Sequence, residues 1–160
     1  MLIKEIHLKS KAQRRGLSEK LAKQKLKKQG FRVYRGIGFF GPGAIHVDYP
    51  YVVNMYKELD KYLNERFGYA LFAMRLVLGT TKGMPDFLCI SGSEISFVEV
   101  KLEHESIKPT QIKMMDALEE FGFKVMVFRI KSKVFKVQSN LIGGRRKVLT
   151  MQRKLVKSWR

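Results

Sequence analysis

The stretch PDFLCISGSEISFVEVK, residues 85–101, constrains the fold more than any other part of this chain. Two apolar, β-branched runs flank a short polar SGS segment, which reads as a hairpin with strands over 86–90 and 95–101. Runs of this kind are buried in a sheet, yet Asp86 opens the first strand and Glu99 and Lys101 interrupt the second. Buried charge is costly unless it is paired or holds a metal. Alternation places Glu99 and Lys101 on one face and Val98 and Val100 on the other. A hairpin pairs the start of its first strand with the end of its second, so Asp86 comes close to Glu99 and Lys101.

Two neighbouring carboxylates repel unless a proton or a cation lies between them. A hard divalent ion such as Mg²⁺ takes oxygen ligands and keeps several waters. A lysine beside it can orient or help deprotonate an attacking water, and these parts together suit metal-assisted hydrolysis of a phosphodiester. Each residue also has an ordinary reading. Asp86 after Pro85 can simply lead a strand out of a turn, and Glu99 and Lys101 can form a ladder on a solvated face. Convergence of further polar side chains separates the two readings.

Two other residues point the same way. A helix reads from Leu17 to Gln29, with Ser18 as its cap and Gly30 after its end. Glu19 is the only acid in this lysine-covered helix and lies on or beside the stripe of Leu17, Leu21, Ala22 and Leu26. It can point toward the sheet, or simply favour the helix dipole near the first turn. A helix beginning at Pro109 reaches Phe121, and Gln111 shares its inward face with Met114, Met115 and Leu118. Gln111 can reach the same sheet edge, or only solvate the helix start.

The rest of the chain sets the frame. FRVYRGIGFF reads as a strand, GPGAIHVDYP as a loop, and Tyr51–Phe67 as a helix with Pro50 at its first turn. YALFAMRLVLG, residues 69–79, reads as a largely buried strand, and FKVMVFRI, residues 123–130, as another. A short strand is expected over Val134–Val137, whereas residues 1–15 give only weak signals. The order α-β-α-β-β-β-α-β implies one α/β domain over residues 1–140, with a mixed sheet flanked by helices and an inserted segment at about 41–78. A basic tail follows at 141–160.

The formal net charge is +18 over 160 residues. Twelve Lys/Arg lie between Lys4 and Arg35 and ten between Lys131 and Arg160, while twelve of the fourteen acids lie between Asp48 and Glu120. Basic ends imply a polyanionic partner, most often nucleic acid, with Lys20, Lys23, Lys27, Arg32, Arg35, Lys82, Arg145, Arg146 and Lys147 as phosphate contacts. The basic stretches lack the aromatic anchors of membrane-surface helices. No apolar run reaches the roughly 18 to 20 residues that span a bilayer. Cys89, the single cysteine, allows no internal disulfide and fits a reducing cytoplasm.

Gly83-Met84-Pro85-Asp86, Glu99-Val100-Lys101 and the downstream Gln111 resemble the PD-(D/E)XK nuclease superfamily, and within it the VRR-NUC branch. SEKLAKQKLKKQGFRVYR, which contains Glu19, is similar to the opening of the archaeal Holliday junction resolvases. The resemblance covers residues 16–35 and 83–130. It implies a restriction-endonuclease-like fold and a metal-dependent DNA endonuclease acting on branched or structured DNA in recombination or repair. It further implies Mg²⁺, with Mn²⁺ as a substitute, held by Asp86, Glu99 and the Val100 carbonyl, with Glu19 as a further ligand. Lys101 would act on the water and Gln111 would assist. A homodimer in a prokaryotic cell, or a viral or plasmid protein in such a host, is implied as well. Neither the 41–78 insertion nor the tail belongs to the pattern. The rival reading is a non-catalytic, basic nucleic-acid-binding protein on a nuclease-like scaffold.

Two weaker motifs remain. Gly36–Gly41 matches GxGxxG, but Pro42 and Gly43 follow where a dinucleotide site needs a helix, so it reads as a flexible loop. His46 and Asp48 form an H-x-D pair, but three scattered histidines and one cysteine make zinc a poor fit.

Overall fold

The computed structural model describes residues 2–8, 16–41 and 49–132. Its five strands form one sheet in the order β1-β5-β4-β3-β2, with β1 Leu2–Leu8, β2 Arg32–Arg35, β3 Phe87–Ser91, β4 Glu94–Leu102 and β5 Lys124–Ser132. β1, β5 and β4 run parallel, and β3 and β2 run antiparallel to their neighbours. The expected hairpin is present. Ser91 pairs with Glu94 and Phe87 with Val98, so only Gly92 and Ser93 make the turn.

Strand alternation then decides what covers each side. Val98 and Val100 of β4 pack with Phe87, Cys89, Met126 and Phe128 beneath Ala22 and Leu26 of helix α1, Leu17–Lys28. Ile95 and Phe97 face the other way. They meet a larger core built from α2, Pro50–Phe67, α3, Tyr69–Leu78, and α4, Pro109–Glu120. The fold is therefore a three-layer α/β/α arrangement, as the resemblance implied. α4 connects the parallel neighbours β4 and β5, which is the crossover such a pair needs.

Several sequence expectations need correction. Residues 69–78 are helix α3, not a buried strand. A ten-residue run that is apolar on every side carries no period to separate helix from strand. The 41–78 segment thus supplies two helices and no strand among its described residues. Residues 36–40 do not extend β2. They form a short 3-10 helix in which Gly36, Gly38 and Phe39 are buried, so the GxGxxG stretch is not a flexible loop in that part. Ser18 lies inside α1, whose N-cap is Gly16 with φ of 84°. The N-terminal segment that gives weak signals contains β1, an edge strand parallel to β5.

His46, Asp48, the strand expected at Val134–Val137 and the 141–160 tail lie outside the described residues. Among the described residues no helix is long and apolar enough to cross a membrane.

Candidate functional site

β4 outruns β3. The ladder between them starts at Phe87 opposite Val98, so Val100 and Lys101 lie past its end. Asp86 fills the gap, since its Oδ2 accepts the Val100 N–H at 2.8 Å. In an extended strand the N–H and C=O of one residue face the same neighbour. The Val100 carbonyl therefore points to the same edge as Asp86.

The loop carrying Asp86 is fixed by two close backbone approaches. The Gly36 N–H donates to the Asp86 carbonyl at 2.9 Å. A Cβ on Gly36 would fall 1.9 Å from the Pro85 carbonyl oxygen. On the other side Gly83, with φ of +87°, approaches the first turn of α4 so closely that a Cβ would fall 2.2 Å from the Thr110 carbonyl oxygen. Glycine is required at both places. Sequence reasoning gives neither residue a role beyond the spelling of its motif. A signal exists all the same, since one glycine ends a strand and the other opens the loop to Asp86.

Glu99 and Lys101 share the face covered by α4, and both are buried, Glu99 to 2% exposure and Lys101 to 9%. This excludes the solvated ladder. Lys101 Nζ lies 2.9 Å from Glu99 Oε1. Gln111, in the first turn of α4, donates from Nε2 to the same Oε1. Its own Oε1 accepts the Lys108 N–H at 3.0 Å. The cap and the site contact are thus two ends of one amide. Glu99 Oε2 is buried and accepts no hydrogen bond from the described residues.

The electrostatics follow from burial. Desolvation pushes Asp86 up to about 7, the Glu99 and Glu19 charges push the same way, and the Val100 N–H and Lys101 oppose them. Glu99 is also raised, mainly by burial, against the pull of Lys101, Gln111 and the nearby Asp86 backbone N–H. Glu19 is half-buried on α1, close enough for its charge to act on Asp86. The expected residues Asp86, Glu99, Lys101 and Gln111 therefore gather where β4 outruns β3, and Glu19 acts on Asp86 from α1, on the other face of the sheet.

Among the described residues no group of three or more His, Cys, Asp and Glu side chains is arranged to hold a metal alone. The fit to a divalent ion rests instead on mixed oxygen donors: the raised Asp86, the orphaned Oε2 of Glu99 and the Val100 carbonyl. Hard ions such as Mg²⁺ accept this combination with water.

The basic residues divide. Lys20, Lys27, Arg32, Arg35 and Lys82 are exposed and Lys23 is half-buried, whereas Arg145, Arg146 and Lys147 lie outside the described residues. Lys23 is lowered by burial and by the charges of Lys27 and Arg35, so these three cations form a group. Arg35 immediately precedes the glycine that holds Asp86, and Lys23 is one turn beyond Glu19. The cluster thus borders the carboxylates. The Arg32 guanidinium lies 5.3 Å above the Tyr62 ring.

A mixed sheet whose outrun strand carries Glu99-Val100-Lys101 beside Asp86, flanked by helices on both faces, defines a PD-(D/E)XK-type nuclease domain. The family model for the VRR-NUC domain matches residues 50–131, just over half of the 160-residue chain. The protein belongs to that family. A search of curated proteins finds no match.

Proposed function

We propose that this protein is a Mg²⁺-dependent DNA endonuclease that cuts phosphodiester bonds in branched or structured DNA, with Mn²⁺ able to substitute. The observation that carries the reading is the buried Glu99 carboxylate, which keeps one oxygen without a partner beside a second carboxylate. Such an arrangement is expensive unless a cation completes it.

When bound, the ion would stabilise charge on the scissile phosphate and supply an activated water. Asp86 and Glu99 would hold it together with the Val100 carbonyl. Glu19 would add charge to the site from α1. Gln111 keeps the Glu99 carboxylate oriented, and Lys101 orients or helps deprotonate the water. Lys23, Lys27 and Arg35 grip the DNA backbone without reading sequence, because phosphate contacts position rather than specify. Two copies working together belong to this reading, since a branched substrate presents more than one strand to cut.

The test is cleavage of branched, single-stranded and linear duplex DNA with Mg²⁺, Mn²⁺ or EDTA. Metal-dependent cleavage that disappears in Asp86→Ala, Glu99→Ala and Lys101→Ala supports the reading. Salt-sensitive binding with no cleavage under any condition would leave a non-catalytic binding protein on a nuclease scaffold.

A further inference from the structure

The free edge of β2 ends at the carboxylates, and it is bordered by tyrosines as well as cations. Two consecutive N–H groups at the end of β2 point opposite ways, as strand geometry requires. The Gly36 N–H donates to the Asp86 carbonyl at 2.9 Å. The Arg35 N–H faces away from β3 and donates to the Tyr56 hydroxyl at 3.0 Å. A side chain of α2 thus covers the strand edge next to the loop that holds Asp86. Tyr56 is buried there, with its ring edge-on to that of Tyr34 at 6.2 Å between centroids.

Two kinds of surface meet at this bond. On one side lies Arg35 with Lys23 and Lys27, the like-charged group that borders the carboxylates. On the other lies the start of α2. The Arg35 guanidinium and the Tyr51 hydroxyl are both near enough for their charges to act on Tyr56. Tyr51 is 74% exposed and Tyr49 67%. Pro50 lies between them at the first position of α2, where its ring fixes the backbone. The opening of the helix, PYVVNMYK, contains no acid to repel an anion.

Exposure alone marks nothing. Tyr69 on α3 is 96% exposed, but α3 around it offers only apolar side chains, and Arg75 is bound to the Phe39 carbonyl and Asp60. What distinguishes Tyr51 is the cation group beside it, continuous with Asp86 through Arg35 and Gly36. A ligand that satisfies both surfaces carries negative charge next to a flat ring, and a nucleotide does so. Cations that track phosphates beside rings that stack bases are the means by which single strands are held. In a duplex each base is covered by its neighbours above and below. A tyrosine ring finds a free face only on an unpaired base.

We infer that Tyr51, with Tyr49 two residues before it, is a stacking platform for an unpaired base of the DNA whose phosphates are held by Lys23, Lys27 and Arg35. This rests on the proposed reading that DNA occupies the site, and it names the feature recognised there as a nucleotide unpaired close to the cut. Tyrosine suits the task because it presents a large ring with few rotatable bonds to immobilise.

The experiment measures binding by the full chain in EDTA, so that cleavage is not needed. Fluorescence anisotropy compares two synthetic forks. One has a normal single-stranded arm, and in the other the unpaired nucleotides next to the junction are abasic. Their phosphates are identical, so any difference reports the bases. The parent should bind the normal fork about tenfold more tightly or better, the scale of one base stacked on an aromatic ring. Tyr51→Ala should abolish the difference, and Tyr51→Trp should keep it, because stacking uses the ring and not the hydroxyl. Tyr69→Ala should keep it as well. Equal affinity of the parent for the two forks, a difference that survives Tyr51→Ala, or one that Tyr69→Ala also removes would overturn the inference. The predicted pattern of binding in a protein that cuts no DNA with Mg²⁺ or Mn²⁺ would support the platform and overturn the nuclease reading alone.

Discussion

Gln111 and Glu99 come from different elements and meet through a single amide group. The Gln111 NH₂ donates to Glu99 Oε1, and its carbonyl accepts the Lys108 N–H at 3.0 Å. The start of α4 thereby fixes the carboxylate. Replacing Gln111 with Ala removes both hydrogen bonds and leaves Lys101 as the only described side chain bonded to Glu99. We expect about a 10- to 100-fold loss of cleavage, typical when a group that supports a metal ligand is removed. The accompanying loss of stability should be about 1–3 kcal/mol. Cleavage assays over a Mg²⁺ titration check this, and the loss should shrink at high metal concentration if Gln111 acts by orienting Glu99.

Asp86 makes the metal-free protein sensitive to pH. Its carboxyl is raised from 3.8 to about 7 in the folded chain. A raised acid holds its proton more tightly folded than unfolded, so stability falls as pH rises from about 4 through about 7. Glu99 is shifted in the same direction and adds to the slope. Without metal, Asp86→Asn should therefore raise the melting temperature at pH 8 and change it little at pH 4. Mg²⁺ or Mn²⁺ should stabilise the parent at pH 8 and lose that effect toward pH 5, where protons compete for the same carboxylates. Thermal melts with and without metal across this range decide it. A metal effect equally large at pH 5 would argue against Asp86 as a ligand.

The site is more legible in the sequence than the helices around it. Asp86, Glu99 and Lys101 declare themselves because charge inside β-forming runs needs a reason, and a hairpin turning at SGS brings the start of its first strand beside the end of its second. Gln111 is ambiguous between a cap and a site residue, and its amide does both. Residues 69–78 read as a strand because α3 shows apolar side chains toward solvent as well as toward the core. Without a polar side, hydrophobic periodicity is silent. The 3-10 helix over 36–40 is hidden because its geometry follows from Gly36 touching Pro85, an approach between residues some fifty positions apart that no local propensity encodes.

That close approach can be tested against an ordinary glycine. Gly36→Ala and Gly83→Ala each force a Cβ into a carbonyl oxygen, at 1.9 Å and 2.2 Å respectively. Gly92, at the hairpin turn with φ of +57°, has nothing within 4 Å of its Cβ position. Gly92→Ala should cost about 1 kcal/mol from backbone strain alone. The other two should cost about 1–3 kcal/mol or more, and should also weaken metal binding because the loop holding Asp86 must move. Denaturant melts and metal-titration calorimetry separate the two effects. Equal losses at all three positions would show that the close approaches are not needed.

The cations beside the carboxylates predict how DNA binding responds to salt. Lys23, Lys27 and Arg35 form a like-charged group, and among the described residues none of them is in an ion pair. Such a group is unfavourable in the free protein and becomes favourable against phosphate. Replacing Lys23 or Arg35 with Ala should lower the slope of log affinity against log salt by about one for each phosphate that is no longer neutralised. The affinity should fall uniformly across DNA sequences, since no base edge is involved. The same substitutions should leave the fold intact and remove like-charge repulsion, so the melting temperature should stay level or rise. Fluorescence anisotropy with a labelled duplex over a salt series reads the slope. A slope unchanged in the double variant Lys23→Ala/Arg35→Ala would place the phosphate track elsewhere on the protein.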